Sequence, residues 1–126
     1  KSASIFIQAV EPTTVMALFS PSISALHTLK STSKTILITG GSSGIGLATS
    51  TLLSTLNPSH YLVVLDLRPP PRSFNHPSSN LLFHECDITS WVSQRAGFEA
   101  AHKRFGRIDC VFVNAGIAEQ GDQFFN

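Results

Sequence analysis

The chain has 126 residues, 42% of them hydrophobic, enough to bury one core but short for a complete doubly wound nucleotide-binding domain. Nine Lys and Arg against eight Asp and Glu leave a net charge of +1, and only Lys103, Arg104 and Arg107 cluster, so there is no electrostatic footprint for nucleic acid. Every apolar run is too short to cross a bilayer, Glu11 and Pro12 interrupting the apolar N-terminus, so no membrane partner is expected.

Residues 1–33 are rich in Ser, Thr and Pro, lack a sustained period, and read as a flexible N-terminal extension. The only methionine is Met16, which makes it a candidate translation start. The stretch from Met16 to Lys34 has no acidic residue, but it also lacks arginine and a clear amphipathic pattern, so a lead-in is favoured over a transit peptide and a cytoplasmic location is expected. Residues 34–126 read as a partial nucleotide-binding domain.

Thr35 to Ile38 predicts the first strand, and Thr39-Gly40-Gly41-Ser42-Ser43-Gly44-Ile45-Gly46 follows it as a glycine turn opening a helix. Ile45, Ala48, Leu52, Leu53 and Leu56 recur at helical spacing, which predicts one face packed on a sheet, and Asn57-Pro58 stops the helix. Tyr61 to Leu65 is a continuous apolar run ending at Asp66, as expected of a parallel strand covered on both faces. Pro69-Pro70-Pro71 makes Arg68 to Asn80 a loop. Leu81 to Cys86 predicts a third strand ending at Asp87. A helix from about Thr89 to Phe105 then buries Trp91, Phe98, Ala101 and Phe105, with Gly106 at its C-cap. Ile108 to Val113 predicts the fourth strand, before the loop Asn114-Ala115-Gly116. The fold class is α/β, a Rossmann-like doubly wound parallel sheet, incomplete, with strands in the order 3-2-1-4.

The chemistry gathers at the strand ends. Gly40 to Gly46 removes side chains where a backbone must turn tightly and approach a pyrophosphate, and the helix start behind it offers open N–H donors and a positive dipole end. Asp66 lies twenty residues beyond Gly46, where a carboxylate meets the adenosine ribose hydroxyls. Its charge repels a 2′-phosphate, so NAD is expected, with NADP less favoured and Arg68 and Arg72 pulling the other way. Asp87 suits a helix cap or a hydrogen bond to adenine, and the small residues of Asn114-Ala115-Gly116 suit close approach to a ribose. Cys86 and Cys110 fall in strands roughly 14 Å apart at ~4.8 Å per strand, beyond disulfide reach of about 7 Å; both read as buried, reduced thiols of an intracellular protein. His84-Glu85 begins an H-E-x-x-H pair, but Ile88 stands where the second His belongs, and no metal site is implied.

Thr39-Gly40-x-x-x-Gly44-x-Gly46, Asp66, Asp87-Ile88-Thr89 and Asn114-Ala115-Gly116, in this order, resemble the N-terminal half of the short-chain dehydrogenase/reductase family, classical type, over about Lys34 to Gln120. The resemblance implies that Gly40, Ser42, Ser43, Gly44, Ile45 and Gly46 cradle the pyrophosphate and that Asp66 holds the ribose. It further implies that Asp87 and Ile88 flank the adenine, and that Asn114, Ala115 and Gly116 border the adenosine side. Val113-Asn114 stands where the family often has two asparagines. The family transfers hydride between a nicotinamide cofactor and a small alcohol or carbonyl substrate, using a Tyr, a Lys four residues on and a Ser.

None of these can be placed. Tyr61 is the only tyrosine, with Leu65 in the lysine position, and an unassisted phenol with a pKa of about 10 is a poor base at neutral pH. The expectation is the cofactor-binding half of an NAD(P)-dependent oxidoreductase, with no catalytic residue assigned and no activity alone. The alternative is a non-catalytic NAD-binding module, or a subunit completed by a partner. The fourth strand, from Cys110 to Val113, would leave an open sheet edge that favours aggregation or a homo-oligomer. A methyltransferase-like domain is disfavoured by the glycine spacing, and Ser31-x-x-Lys34 matches a penicillin-recognising motif by chance.

Overall fold

The computed structural model describes residues 22–117 and, ahead of them, the backbone of two strands. These strands, β1 (Ile5–Ala9) and β2 (Val15–Phe19), pair antiparallel with an irregular register. Helix α1 (Ile23–Ser31) follows, its first turn capped by Ser22 Oγ, which accepts from the Ala25 N–H at 3.3 Å. Regular elements thus occur ahead of Lys34, where the sequence shows no sustained period. The reasons are local: the two-stranded ribbon pairs through its backbone in an irregular register, and the nine-residue helix starts from its Ser22 cap. Helix α1 buries no residue completely, and only Leu29 is half-buried.

The main sheet contains β3 (Thr35–Thr39), β4 (Tyr61–Asp66), β5 (Leu81–Glu85) and β6 (Cys110–Phe112). All pairs are parallel and the spatial order is β5-β4-β3-β6, the 3-2-1-4 order expected from the crossovers. Strand β3 and residues Leu62 to Leu65 of β4 are buried throughout, as central strands covered on both faces must be. Alternation divides their side chains between two cores. Leu37, Val63 and Leu65 pack with Cys86 and Ala101 on one face, joined by Phe98 and Phe105 of α3 (Trp91–Phe105). Ile36, Ile38 and Leu62 pack on the other, joined by Leu53 of α2 (Gly44–Leu56) and by Phe74 from the proline-rich loop. That loop ends in a single 3-10 turn, Ser78–Asn80.

Several expectations change. In α2 the buried positions are Gly46, Ser50 and Ser54, with Leu53 half-buried, whereas Ile45, Ala48 and Leu52 face outward, Leu52 at 58% exposure. Small residues let the helix lie close to the sheet: a Cβ on Gly46 would fall 2.0 Å from the Gly40 carbonyl oxygen. Ser50 Oγ satisfies itself by donating to the Gly46 carbonyl at 2.9 Å.

In α3, Gly97 and Ala101 are buried and Phe98 and Phe105 half-buried. Trp91 shares their phase, but it occupies the first helical position beyond the covered stretch and is 73% exposed. The helix begins at Trp91 rather than Thr89, its N-cap being Ser90, whose Oγ accepts from the Ser93 N–H at 3.2 Å. Gly106 closes it in the left-handed conformation, φ +78°. Cys86 is buried, but Cys110 is exposed because it opens edge strand β6; both are free thiols. The tail to Gln120 and the side chain of Met16 lie outside the described residues. No helix among the described residues is long and apolar enough to cross a membrane.

Candidate nucleotide-binding site

The C-terminal ends of all four parallel strands open on one cleft of about 330 Å³, within the range of small-molecule sites. Its floor is the glycine turn. Gly40 and Gly44 have positive φ, +67° and +52°, which only glycine adopts without strain. A Cβ on Gly44 would meet nothing within 4 Å, so the backbone there is open to the cleft. Ser43 is the N-cap of α2, but its side chain makes no capping bond, so its hydroxyl is available beside the unpaired first-turn amides of the helix.

Asp66 closes β4 beside this turn. Its Oδ2 accepts from the Ser42 N–H at 3.0 Å and its Oδ1 from the Leu67 N–H at 2.7 Å. The Gly40 N–H donates to the Leu65 carbonyl at 2.8 Å, so turn and strand end are held in register by backbone and carboxylate together. Ser42 itself stands behind the cleft, its Oγ buried without a partner. Asp87 lies just past β5, where its Oδ1 accepts from the Thr89 N–H at 2.9 Å and the Thr89 hydroxyl at 2.7 Å. Those bonds, the hydroxyl's first, hold its carboxyl below the usual carboxylate range. Asp87 therefore shapes the turn before α3 and leaves the cap to Ser90.

On the other side, Thr39 Oγ1 accepts from the N–H groups of both Asn114 and Ala115, each at 3.0 Å. Asn114 Nδ2 returns bonds to the carbonyls of Thr39 at 3.2 Å and Gly40 at 3.4 Å. The Asn114-Ala115-Gly116 loop is thereby clamped to the glycine turn. Gly40 is needed for this contact too, since a Cβ on it would approach Ala115 Cα at 3.0 Å.

Of the site residues expected from sequence, Gly40, Ser43, Gly44, Ile45, Asp66, Asp87, Ile88, Asn114, Ala115 and Gly116 line the cleft. Ser42 and Gly46 lie behind it, tying the turn to Asp66 and to α2. Sequence reading missed Leu65, Leu67, Cys86, Thr89 and Ile117, which complete the walls. Leu65, Leu67 and Cys86 flank predicted strand ends, a positional signal that could have found them. Thr39 was legible as the motif's first residue, but not as the acceptor for two amides.

Tyr61 begins β4, at the opposite end from Asp66, with its ring against Phe105 at 4.8 Å between centroids. It belongs to the packing and not to the cleft. Among the described residues no cluster of His, Cys, Asp or Glu could hold a metal ion.

The family model for short chain dehydrogenases matches residues 34–126. The chain belongs to the short-chain dehydrogenase family. Short-chain dehydrogenase/reductase ascJ of Acremonium egyptiacum is 45% identical over 89 residues, covering 71% of this chain and 29% of that protein. The 5'-hydroxyaverantin dehydrogenase stcG of Emericella nidulans is 40% identical over 90 residues, covering 68% and 28%. A crystal structure of a short chain dehydrogenase family protein from Francisella tularensis superposes with a TM-score of 0.58 at 30% identity, over 75% of this chain and 36% of that one. The fold is shared as well with 3-ketoacyl-(acyl-carrier-protein) reductase of Brucella melitensis, solved with NADH, with a TM-score of 0.62 at 24% identity over 78% and 40%. This short-chain dehydrogenase chain spans 29% and 28% of the length of the two curated relatives.

Proposed function

We propose that residues 34–126 form the dinucleotide-binding half of an NAD-linked oxidoreductase acting on a small alcohol or carbonyl substrate, with residues 1–33 as an extension. The observation that carries this reading is the pairing of an uncapped α2 N-terminus with a carboxylate at the neighbouring strand end: Ser43 and Gly44 face the cleft beside Asp66. The first offers N–H donors and a hydroxyl to a pyrophosphate, the second two acceptor oxygens to a ribose diol. The residues fit the group: Gly44 leaves the backbone bare where phosphates would approach. Leu67, Ile88 and the loop at Asn114 to Gly116 supply walls for the adenosine.

When bound, the cofactor supplies a hydride acceptor or donor. In this chain Ser43 and the α2 amides bind, Asp66 orients the ribose and excludes a 2′-phosphate, and Asp87 and Ile88 border the adenine. No catalytic acid or base is assigned among the described residues, Tyr61 standing at the far end of β4. The likeness to a reductase solved with NADH supports the cofactor class.

A second reading, in which a partner or a second copy completes the sheet, is favoured by the edge that β6 forms among the described residues, with Cys110, Val111 and Val113 exposed, and by the outward apolar stripe Ile45, Ala48 and Leu52.

Calorimetric titration of the full chain with NAD and with NADP tests the first reading. NAD is expected to bind more tightly, and Asp66→Ala to weaken it by about 1–3 kcal/mol, the scale of a lost charge-assisted hydrogen bond. Unchanged affinity in Asp66→Ala would remove that carboxylate from the site. Absence of NAD binding in the wild-type chain would leave the partner-completed reading, for which sedimentation at increasing concentration is the direct measurement.

A further inference from the structure

The opposite end of the sheet, at the starts of β3 and β4, holds two buried histidines that the cleft does not use. His60, immediately ahead of β4, is completely buried. Its Nδ1 accepts a hydrogen bond from the Lys34 N–H at 3.0 Å. Its backbone carbonyl accepts from His76 Nε2 at 2.7 Å. A carbonyl can only accept, so this nitrogen of His76 carries a proton. His76 Nδ1 lies 2.7 Å from Ser54 Oγ, and the same hydroxyl lies 3.0 Å from the Asn75 carbonyl. The knot joins four pieces: the residues entering β3, the end of α2, the start of β4 and the proline-rich loop.

The two imidazoles have different partners at Nδ1. At His76 that partner is the Ser54 hydroxyl, which can donate to the ring or accept from it, turning its own proton to the Asn75 carbonyl. His60 has no such freedom. Its Nδ1 already accepts, so a proton there would set two donors face to face. Its Nε2 is buried without a hydrogen bond, although the Leu29 carbonyl of α1 is a backbone group it faces. Burial is the largest cause holding this imidazole below the usual histidine range; backbone hydrogen bonding at Leu29 and, least of all, at Lys34 opposes it, and charge on His76 and Lys34 adds to it. Lys34 in turn faces Asp109.

Among the described residues, few contacts fasten α1 to the sheet. Only its Leu29 is half-buried, and besides the bond between Lys34 and His60 the joint holds a bond from Ser33 Oγ to the Ser59 carbonyl and one from the Tyr61 N–H to the Lys34 carbonyl at 2.9 Å. We propose that His60 is an acid-sensitive latch: protonation of Nδ1 releases the Lys34 amide and lets the segment carrying α1 come away, while His76 stays fastened to Ser54 and holds the proline-rich loop in place.

Amide hydrogen exchange of the full chain, followed by NMR from pH 7.5 to pH 5 and corrected for intrinsic rates, reads the latch directly. Protection of the Lys34 amide is expected to fall about tenfold per pH unit as the pH drops from the ordinary histidine pKa of about 6.5 toward the lowered His60 value, the slope of one linked proton, while Leu37 and Val63 in the central strands keep theirs. Titration of the His60 ring without loss of Lys34 protection would overturn the proposal. So would loss of Lys34 protection in step with Leu37 and Val63, which signals global unfolding. His60→Asn keeps an acceptor near the Nδ1 position without a titrating group and is expected to flatten the Lys34 profile; a retained tenfold slope would also overturn it. If that variant does not fold, the comparison of Lys34 with Leu37 in the wild type decides.

Discussion

The two ends of the parallel sheet are built from the same four strands yet treat their polar groups in opposite ways. At the C-terminal ends the α2 N-terminus has no side-chain cap, Ser43 is exposed, and the Asp66 carboxylate lines an open cleft while each of its oxygens accepts one backbone N–H. At the N-terminal ends nearly every polar group is engaged: Thr35 N–H donates to Asp109 Oδ2 at 2.8 Å, Asp109 also pairs with Arg107, and His60, His76 and Ser54 interlock. Groups left open on a rigid frame are groups held ready for a ligand, whereas closed networks hold the frame itself. One end is built to bind and the other to be fastened.

The largest effect that could break this contrast comes from Gly46. Its missing Cβ lets α2 approach the glycine turn, and Gly46→Ala places a methyl 2.0 Å from the Gly40 carbonyl oxygen, against backbone that cannot yield. We expect a loss of about 3 kcal/mol or more in urea unfolding, at the upper end of overpacking costs, with nucleotide binding lost as well. Thr39→Val comes next. It preserves shape but removes the acceptor shared by the Asn114 and Ala115 amides, and about 2 kcal/mol of stability should go with it. The same variant should weaken NAD binding, because the loop bordering the cleft is no longer clamped.

The two faces of α2 sharpen the comparison at smaller scale. Leu53 packs into the core beside Ile36, Ile38 and Leu62, while Leu52 is mostly exposed. Leu53→Ala should cost about 2 kcal/mol in thermal or urea unfolding, and Leu52→Ala within about 0.5 kcal/mol of nothing. A comparable loss in Leu52→Ala would restore the face expected from hydrophobic spacing, which held both leucines.

The smallest effect concerns acid. Hydrogen bonding from Arg107, then from the Thr35 amide, holds the Asp109 carboxyl below the usual carboxylate range. Its folded value lies below its unfolded one, so its contribution is complete above the ordinary carboxylate pKa of about 3.9 and is lost as pH falls through the lowered value. Asp109→Asn should therefore reduce the sensitivity of stability to pH below about 4, which an acid denaturation curve measures.

Much of this organisation was legible in the chain itself, and the gaps have physical causes. Strands β3 and β4 were plain because parallel strands covered on both faces need continuous apolar runs, as in Tyr61 to Leu65. The glycine turn, Asp66 and the Asn114 loop were plain because their backbone demands restrict residue type. The packed face of α2 was not, since Gly46, Ser50 and Ser54 carry no hydrophobic signal while the outward Ile45 and Leu52 do. Trp91 misled for a related reason: phase along a helix says which side a residue faces, not whether anything covers that turn. Cys110 read as buried because a free cysteine packs as a small hydrophobe, although the strand order read from the sequence already put its strand on an edge. Thr39 and the knot of His60, His76 and Ser54 could not be found, as their contacts join residues 75, 16 and 22 positions apart.

The most direct measurement is a titration of the isotopically labelled full chain with NAD, followed by amide chemical shifts. Shifts are expected at Ser43, Gly44 and Ile45, at Leu67 and Ile88, and at Ala115 and Gly116, with His60, His76 and Asp109 unmoved and the pattern reached only at higher NAD concentration in Asp66→Ala. An absence of shifts at the strand C-termini, or a response centred on the histidine end, would contradict the assignment of the open end of the sheet as the nucleotide site.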